Sequence, residues 1–213
     1  MMTKIEKEKM INLLNSYKLC GIEYIEPLKL NQIDIKKDDL PSDINELENY
    51  VNHCNICELS KFKSDSIFGL GKINSDIMII GTNCDFLNEN ISKLLENIIK
   101  SVLLIDFNKV YITNILKCNT KINIKSINQS IELCKGYLTK QIELIKPKFI
   151  ITLGSAFNHL LCNEDNISDI SGNIYEYNGI KTIPLLDLEF IYKNPSYKQD
   201  MFNDLKKIKS ILE

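Results

Sequence analysis

The sequence predicts an α/β fold in which helices cover both faces of a parallel sheet. Four short apolar segments, rich in β-branched residues and each followed by a loop, alternate with segments of helical periodicity. This alternation is typical of parallel strands joined by crossover helices. The predicted strands are residues 75–81, 109–114, 148–154 and 181–186, and the predicted helices between and after them are residues 90–104, 126–145, 155–162 and 198–212.

The chain before the first strand divides at about residue 42. Residues 3–18 carry apolar side chains at helical spacing, and residues 22–42 are a mixed segment interrupted by Pro27 and Pro41. Asp43 stands three positions before Glu46, the spacing of a capping box, and predicts the start of a helix that runs towards His53. We therefore predict an N-terminal helix and connector in residues 1–42 and an α/β domain in residues 43–213.

Composition places the chain among ordinary globular proteins. Of the 213 residues 44% are hydrophobic, enough for one sizeable core, but no apolar run approaches the roughly 18 residues of a membrane span. The first ten residues are charged and lack the apolar core of a signal peptide. We expect a cytoplasmic monomer that has no contact with a membrane.

The charge pattern limits how the protein can contact nucleic acid. The net charge of −2 supplies no general attraction to phosphate, and all 26 basic residues are lysines. Without arginine, bidentate contacts to phosphate or guanine are excluded, so any contact with DNA must use lysine as a point charge.

Four cysteines predict a metal site. Cys54 and Cys57 form a C-x2-C pair, and Cys118 and Cys134 follow far downstream, which suits either zinc or an iron–sulfur cluster. The wide separation of the second pair favours iron–sulfur, since zinc ribbons usually carry two close pairs. An odd total of seven cysteines and the missing export signal argue against disulfides. We interpret the other three, Cys20, Cys84 and Cys162, as core or loop thiols.

Several motifs follow one another along the chain: Cys54-Asn-Ile-Cys57-Glu-Leu-Ser60, Phe68-Gly-Leu-Gly71, Asp76-Ile-Met-Ile-Ile-Gly81, Val110-Tyr-Ile-Thr-Asn114 with Lys117-Cys118, Ile131-Glu-Leu-Cys134, and Asn194-Pro195. In this order they resemble the iron–sulfur uracil-DNA glycosylases of family 4. The resemblance covers about residues 50–210 and implies a three-layer α/β/α sandwich with a four-stranded parallel central sheet, a 4Fe-4S cluster on the four cysteines, and action on damaged bases in single-stranded or duplex DNA.

The resemblance also implies roles for individual residues. Gly81 opens the catalytic loop, and Asn114 is the residue expected to hydrogen-bond the uracil edge. The family's Gly-Glu-Ala-Pro-Gly loop is Gly81-Thr-Asn-Cys-Asp85 here, and Asn83 is our candidate to position the attacking water. The alternative is that Asn83 caps the helix after it. Phe86 is a candidate for the missing stacking Phe, or else a core residue.

The family's His-Pro pair is Asp187-Leu188 in this chain. An ionised Asp187 would repel the departing uracil anion, but it can orient water or stabilise positive charge on the sugar. The segment 187–193 corresponds to the loop that wedges into DNA in the family, so Leu188, Phe190 and Ile191 are our candidates to insert. Lys193 and Lys198 are candidate phosphate contacts, with a solvated lysine-rich helix as the alternative.

These departures leave two functions open within the family. One is a divergent glycosylase that hydrolyses the N-glycosidic bond of uracil or another damaged base during base-excision repair. The other is a non-catalytic iron–sulfur relative that binds DNA or protein, so enzymatic activity is undecided by the sequence. Two rivals from other classes are an electron-transfer protein and a zinc-binding interaction module.

Overall fold

A six-stranded sheet forms the centre of the protein in the computed structural model, which describes residues 39–120 and 127–212. These residues belong to the compact unit Asp34–Glu213. In chain order the strands are β1 (Asp65–Ser66), β2 (Leu70–Gly71), β3 (Ile77–Gly81), β4 (Val110–Asn114), β5 (Cys118–Asn119), β6 (Phe149–Leu153), β7 (Tyr175–Tyr177) and β8 (Ile180–Leu185).

The predicted parallel sheet is confirmed in its four central strands. The order across the sheet is β2-β4-β3-β6-β8-β7, and β4, β3, β6 and β8 are parallel neighbours. The structure adds the two antiparallel edge strands β2 and β7, which are only two and three residues long. Segments this short carry too little alternation to be recognised in a sequence. A separate antiparallel pair joins β1 to β5.

The helices occupy the predicted positions. Asp43 caps the first, accepting hydrogen bonds from the backbone N–H groups of Asn45 and Glu46 at 2.9 and 3.0 Å. The short helices α5 and α6 were not predicted. The helices are α1 (Ile44–Asn52), α2 (Glu89–Ile98, continued by a π turn over Ile99–Leu103), α3 (Ile127–Ile145), α4 (Ala156–Leu161), α5 (Ile167–Ile170), α6 (Leu188–Lys193) and α7 (Lys198–Leu212).

Alternating residues of the buried strands face two separate cores, which confirms the three-layer arrangement. Ile77 and Ile79 of β3 pack against α2, α6 and α7, whereas Met78 and Ile80 pack against α3 and α4. Because both faces are covered, β3 is apolar throughout, and β4 is buried over its whole length, including the polar residues Thr113 and Asn114 at its end.

The predicted N-terminal helix over residues 3–18, its connector up to residue 38, and Cys20 lie outside the described residues, so the prediction for residues 1–42 stays a prediction. Leu40, the first buried residue that is described, packs with Leu47, Val51 and Phe68. Over the described part of the chain, no helix is both long enough and apolar enough to cross a membrane.

Candidate active site and metal centre

A narrow pocket opens where the carboxyl ends of the parallel strands meet, the position at which such sheets usually bind ligands. Gly81 at the end of β3 lies in register with Asn114 at the end of β4. The pocket holds about 20 Å³, room for roughly one water molecule. Its lining residues are Gly81, Asn83, Phe86, Ile91, Leu95, Ile112, Asn114, Leu153, Asp187 and Leu188.

Asn114 is the most unusual residue in this pocket. Its side chain is 1% exposed, yet neither Oδ1 nor Nδ2 has a hydrogen-bond partner within the described residues. Gly81 makes room for the side chain, since a Cβ at Gly81 would lie 2.7 Å from Asn114 Oδ1. A buried amide with no partner is costly in a folded protein, so its position in a pocket marks it as a group that a ligand can satisfy.

The loop after β3 places Asn83 and Phe86 beside Asn114. Asn83 is exposed and lines the pocket. Asn88, not Asn83, caps α2 by accepting a hydrogen bond from the backbone N–H of Asn90 at 3.0 Å, so the capping alternative for Asn83 is wrong. Phe86 packs in the core cluster, as its core alternative predicted, and it also lines the pocket; its role in stacking on the base stays a prediction.

Asp187 has a structural role that the sequence analysis missed. Its Oδ1 caps α6 by accepting hydrogen bonds from the backbone N–H groups of Glu189 and Phe190 at 2.9 and 3.2 Å. Oδ2 lies over Gly154, where a Cβ would approach it to 3.2 Å. The carboxylate therefore uses one oxygen to hold α6 while it lines the pocket. An Asp just before a short amphipathic segment was the available signal.

Of the three apolar residues expected to insert into DNA, the wedge segment exposes Phe190 and buries Leu188 and Ile191. Leu188 is 3% exposed and belongs to the core beside the pocket, so in this structure it is not presented to solvent as an inserting residue. The outward-facing apolar residues are aromatic instead: the rings of Phe190 and Tyr197 lie 5.1 Å apart, and Tyr192 is also exposed. This correction follows from the helical geometry of α6, which turns residue 188 inwards.

Both lysines proposed as phosphate contacts are exposed and near this segment. Lys193 forms an ion pair with Glu189 at 2.7 Å, and this neighbour raises the pKa of Lys193. Lys198 Nζ lies 5.6 Å from the centre of the Phe202 ring. The roles of both lysines in DNA binding stay predictions.

Three of the four predicted metal ligands meet between the sheet and α3. Cys57 follows α1, Cys118 lies in β5, and Cys134 projects from α3 into the same buried core cluster. Cys54 is partly buried beside the hydroxyl of Tyr137. Burial raises the pKa of Tyr137, and the hydrogen bond with Cys54 raises it further. Long-range folding thus brings together cysteines up to 77 positions apart in the chain.

The thiols of Cys118 and Cys134 each hydrogen-bond the sulfur of Cys57. Hydrogen bonds from Cys118, Cys134 and the buried Ser130 hold the pKa of Cys57 well below its usual range. The pKa values of Cys118 and Cys134 are raised, first because they donate to Cys57 and then because they are buried. Within residues 39–120 and 127–212, no three His, Cys, Asp or Glu side chains form a preassembled set of ligands for a metal ion.

A buried lysine, which the sequence analysis passed over, connects the cysteines to the pocket. Lys117 is 2% exposed, and its Nζ donates to Thr113 Oγ1 and to the carbonyl oxygen of Asn114, both at 2.7 Å, and to Gln141 Oε1. Its burial lowers the pKa of Lys117 to about 7, against the opposing influence of Cys134 and Cys84. The available signal was a single charged residue within an apolar run.

Sequence comparison shows which known proteins share these features. A family model described as the uracil DNA glycosylase superfamily matches residues 68–206. A Type-4 uracil-DNA glycosylase of Saccharolobus solfataricus is 31% identical over an alignment of 180 residues. The alignment covers 76% of this chain and 83% of that protein. A protein of the same name from Sulfurisphaera tokodaii is 27% identical, over 79% of this chain and 84% of its own length. Another from Archaeoglobus fulgidus is 29% identical, over 74% of this chain and 87% of its own length.

Proposed function

The chain belongs to the uracil DNA glycosylase superfamily, and we propose that it is a base-excision repair enzyme that hydrolyses the N-glycosidic bond of uracil in DNA. The observation that carries this proposal is Asn114, whose buried amide has no partner inside the described protein and lines the pocket at the strand ends. An enzyme acting on a base must take it out of the helix stack and read its edge with groups of this kind.

Asn114 has the chemistry to distinguish uracil from cytosine. Its Nδ2 can donate to the O4 atom of uracil while its Oδ1 accepts from the N3–H group. Cytosine carries an amino donor where uracil carries O4, so it meets Nδ2 donor to donor. Donation from Nδ2 also stabilises the uracil anion as the bond to the sugar breaks.

Asn83 and Asp187 supply the remaining functions of the pocket. In our proposal Asn83 holds the attacking water by its amide, and Asp187 stabilises the positive charge that develops on the sugar. The pocket volume of about 20 Å³ suits one water molecule. A base needs more room, so its entry requires the loop after β3 to move. The hydrogen bond of 2.9 Å between Thr82 and Ser155, which joins the loops after β3 and β6, must adapt to that movement.

We further propose that Cys54, Cys57, Cys118 and Cys134 bind a 4Fe-4S cluster, whose bonds to all four would tie α1, β5 and α3 together. The donor set fits such a group. Cys57, Cys118 and Cys134 belong to one buried core cluster, and hydrogen bonds from Cys118 and Cys134 favour a thiolate at Cys57. Thiolates are the usual ligands of iron–sulfur clusters.

The substrate in this proposal is DNA that carries a damaged base, and the protein acts as a monomer in the cytoplasm. The exposed aromatic residues of α6 and the lysines beside them favour contact with an unpaired strand, since aromatic rings stack on bases of any sequence. With a formal charge of −2, the protein depends on such local contacts and not on its overall charge.

The direct test is base excision by anaerobically purified, iron-loaded protein. Oligonucleotides containing one uracil, single-stranded or in duplex, are incubated with the protein and then treated with alkali to cleave abasic sites. We expect cleavage at uracil and none in matched oligonucleotides that carry cytosine at that position. The variant Asn114→Ala serves as the matched protein control.

If protein with intact iron leaves uracil in place while a known active glycosylase removes it, the proposed activity is wrong. The non-catalytic relative would then be the better interpretation. Binding of the same oligonucleotides, measured by fluorescence anisotropy, would show whether the site still holds DNA.

A further inference from the structure

A second and much larger cavity lies at the amino ends of the parallel strands, opposite to the base pocket. This amino-end cavity is lined by the starts of β3 and β6 and by the segment that follows α2, and its volume of about 730 Å³ is typical of ligand sites. Ile77 at the start of β3 lines it, whereas Gly81 at the end of the same strand lines the base pocket. Four residue steps of about 3.3 Å place the two sites roughly 13 Å apart.

The lining of the amino-end cavity is strongly basic. It includes a single carboxylate, that of Asp76, and four lysines that come from separate segments: Lys72, Lys109, Lys148 and Lys209. Asp76 forms an ion pair with Lys148 at 3.1 Å. Among the described residues, no carboxylate pairs with Lys72 or Lys109, and both side chains are exposed. In a chain whose net charge is −2, this local positive charge favours an anionic partner.

Leu104 is the most unusual residue of this lining. It ends the π turn Ile99–Leu103 with a φ of +55°, in the left-handed region where Gly or Asn is usual at the end of a helix. A leucine is strained in this conformation, and because its side chain is 64% exposed, burial within the protein offsets little of the strain. An exposed, strained leucine therefore suits a surface that another molecule covers.

The chemistry of the lining favours a peptide over a nucleic acid. Its apolar part is mainly aliphatic, from Ile77, Leu103 and Leu104, whereas surfaces that bind single strands offer exposed aromatic rings to the bases. Phe149 also lines the cavity, but its ring is half-buried and lies 5.8 Å from the Nζ of Lys181. Lysines from four separate segments suit carboxylates that are spaced along a chain, and the aliphatic residues suit a leucine-like side chain between them.

We propose that the amino-end cavity is a docking site for an acidic segment of another protein. Carboxylates of that segment pair with the lysines, and an aliphatic side chain packs on Leu104. Because the cavity and the base pocket lie at opposite ends of the sheet, the partner leaves the base pocket open. The inference does not rest on the proposed base excision.

The experiment measures how a fluorescein-labelled peptide of five alternating Asp-Leu pairs binds to the anaerobically purified, iron-loaded protein, by fluorescence anisotropy. Two labelled control peptides keep one property each: alternating Ser-Leu keeps the aliphatic side chains, and alternating Asp-Ser keeps the charge. We expect the Asp-Leu peptide to bind, and to bind more weakly as the salt concentration rises. Both controls should bind at least roughly tenfold more weakly, because each lacks one of the two kinds of contact.

Three variants test whether binding occurs in the amino-end cavity. Lys72→Gln combined with Lys109→Gln removes two positive charges and should weaken binding of the Asp-Leu peptide roughly tenfold. Leu104→Asn should weaken it by a similar factor while it raises the midpoint of thermal unfolding, since Asn tolerates the left-handed conformation. The matched control, Lys61→Gln combined with Lys93→Gln, changes the net charge equally at exposed lysines outside the cavity and should bind like the wild type.

Failure of the Asp-Leu peptide to bind would overturn the proposal, and so would wild-type affinity in both the Lys72 and Lys109 double variant and Leu104→Asn. A labelled ten-residue oligothymidylate provides the last arm. If the Asp-Leu peptide displaces it and the double variant no longer binds it, the cavity is a second DNA contact and the proposal is wrong. None of these measurements uses base excision, so their result and the result of the excision assay are independent.

Discussion

Replacing Asn114 by leucine should make the protein more stable and inactive at once. Leucine has nearly the same branched shape as asparagine but no polar atoms. In the wild type both Nδ2 and Oδ1 of Asn114 are buried without a partner among the described residues. A buried polar group without a partner costs about 1–3 kcal/mol, so its removal should stabilise the free protein by that amount or more.

The expected magnitudes can be measured separately for stability and for activity. For a chain of this length a gain of about 1–3 kcal/mol raises the midpoint of thermal unfolding by roughly 2–12 °C. On the substrate side, two hydrogen bonds to the uracil edge are lost and its polar atoms are left unpaired. At about 1–3 kcal/mol for each, the single-turnover excision rate should fall by roughly 30-fold to 10⁴-fold.

Thr152→Val is the matched control for Asn114→Leu. The hydroxyl of Thr152 is also buried without a hydrogen-bond partner in the described structure, but Thr152 does not line the pocket. Valine there should raise the unfolding midpoint and leave excision unchanged. An Asn114→Leu protein that excises uracil at the wild-type rate would refute our assignment of base recognition. An unchanged midpoint would mean that bound water already satisfies the amide.

Four further predictions separate the other roles. Asp187→Asn should keep the cap of α6 and the unfolding midpoint, since Asn is as good a capping residue as Asp. The same change should lower the excision rate by about 10²-fold, because the negative charge is lost. Loss of stability without loss of excision rate would mean that Asp187 has only the capping role. Asn83→Ala should abolish excision with no effect on thermal unfolding, because this side chain is exposed. Cys134→Ser should reduce the iron bound per chain, whereas Cys162→Ser, which changes an exposed thiol, should bind iron like the wild type in a colorimetric iron assay. Phe190→Ala should weaken binding of single-stranded DNA by about 1–3 kcal/mol in fluorescence anisotropy, and equal affinity would argue against stacking by this ring.

The strands and long helices were predictable because local periodicity encodes them. Residues 198–212 were predicted as a helix and form α7 with those bounds, and the predicted second strand at residues 109–114 forms β4 at Val110–Asn114. Edge strands such as β7 escaped detection because three residues give no usable pattern. Asn83 was selected as a candidate through the resemblance, and only the position of Asn88 showed that Asn83 does not cap α2.

Asp187 shows why the site could be predicted only in part from the sequence. Its replacement of the family's histidine was visible in the sequence, but its capping bonds depend on α6 starting at Leu188, a helix too short to predict. The same helix turns Leu188 into the core and leaves Phe190 exposed. Which of the candidate wedge residues face outwards was thus fixed by local helical geometry that a six-residue segment does not reveal.

By itself, the sequence determined the layered α/β architecture, the superfamily and the four candidate metal ligands, since these depend on periodicity, motif order and spacing. Only the tertiary structure decided that Asn114 is buried without a partner and that Lys117 connects it to the cysteines. Both facts arise from contacts between distant segments, such as Lys117 with Gln141, 24 positions away, and with Phe68, 49 positions away. Burial and hydrogen-bond satisfaction depend on a residue's surroundings in space, so a local sequence pattern does not predict them.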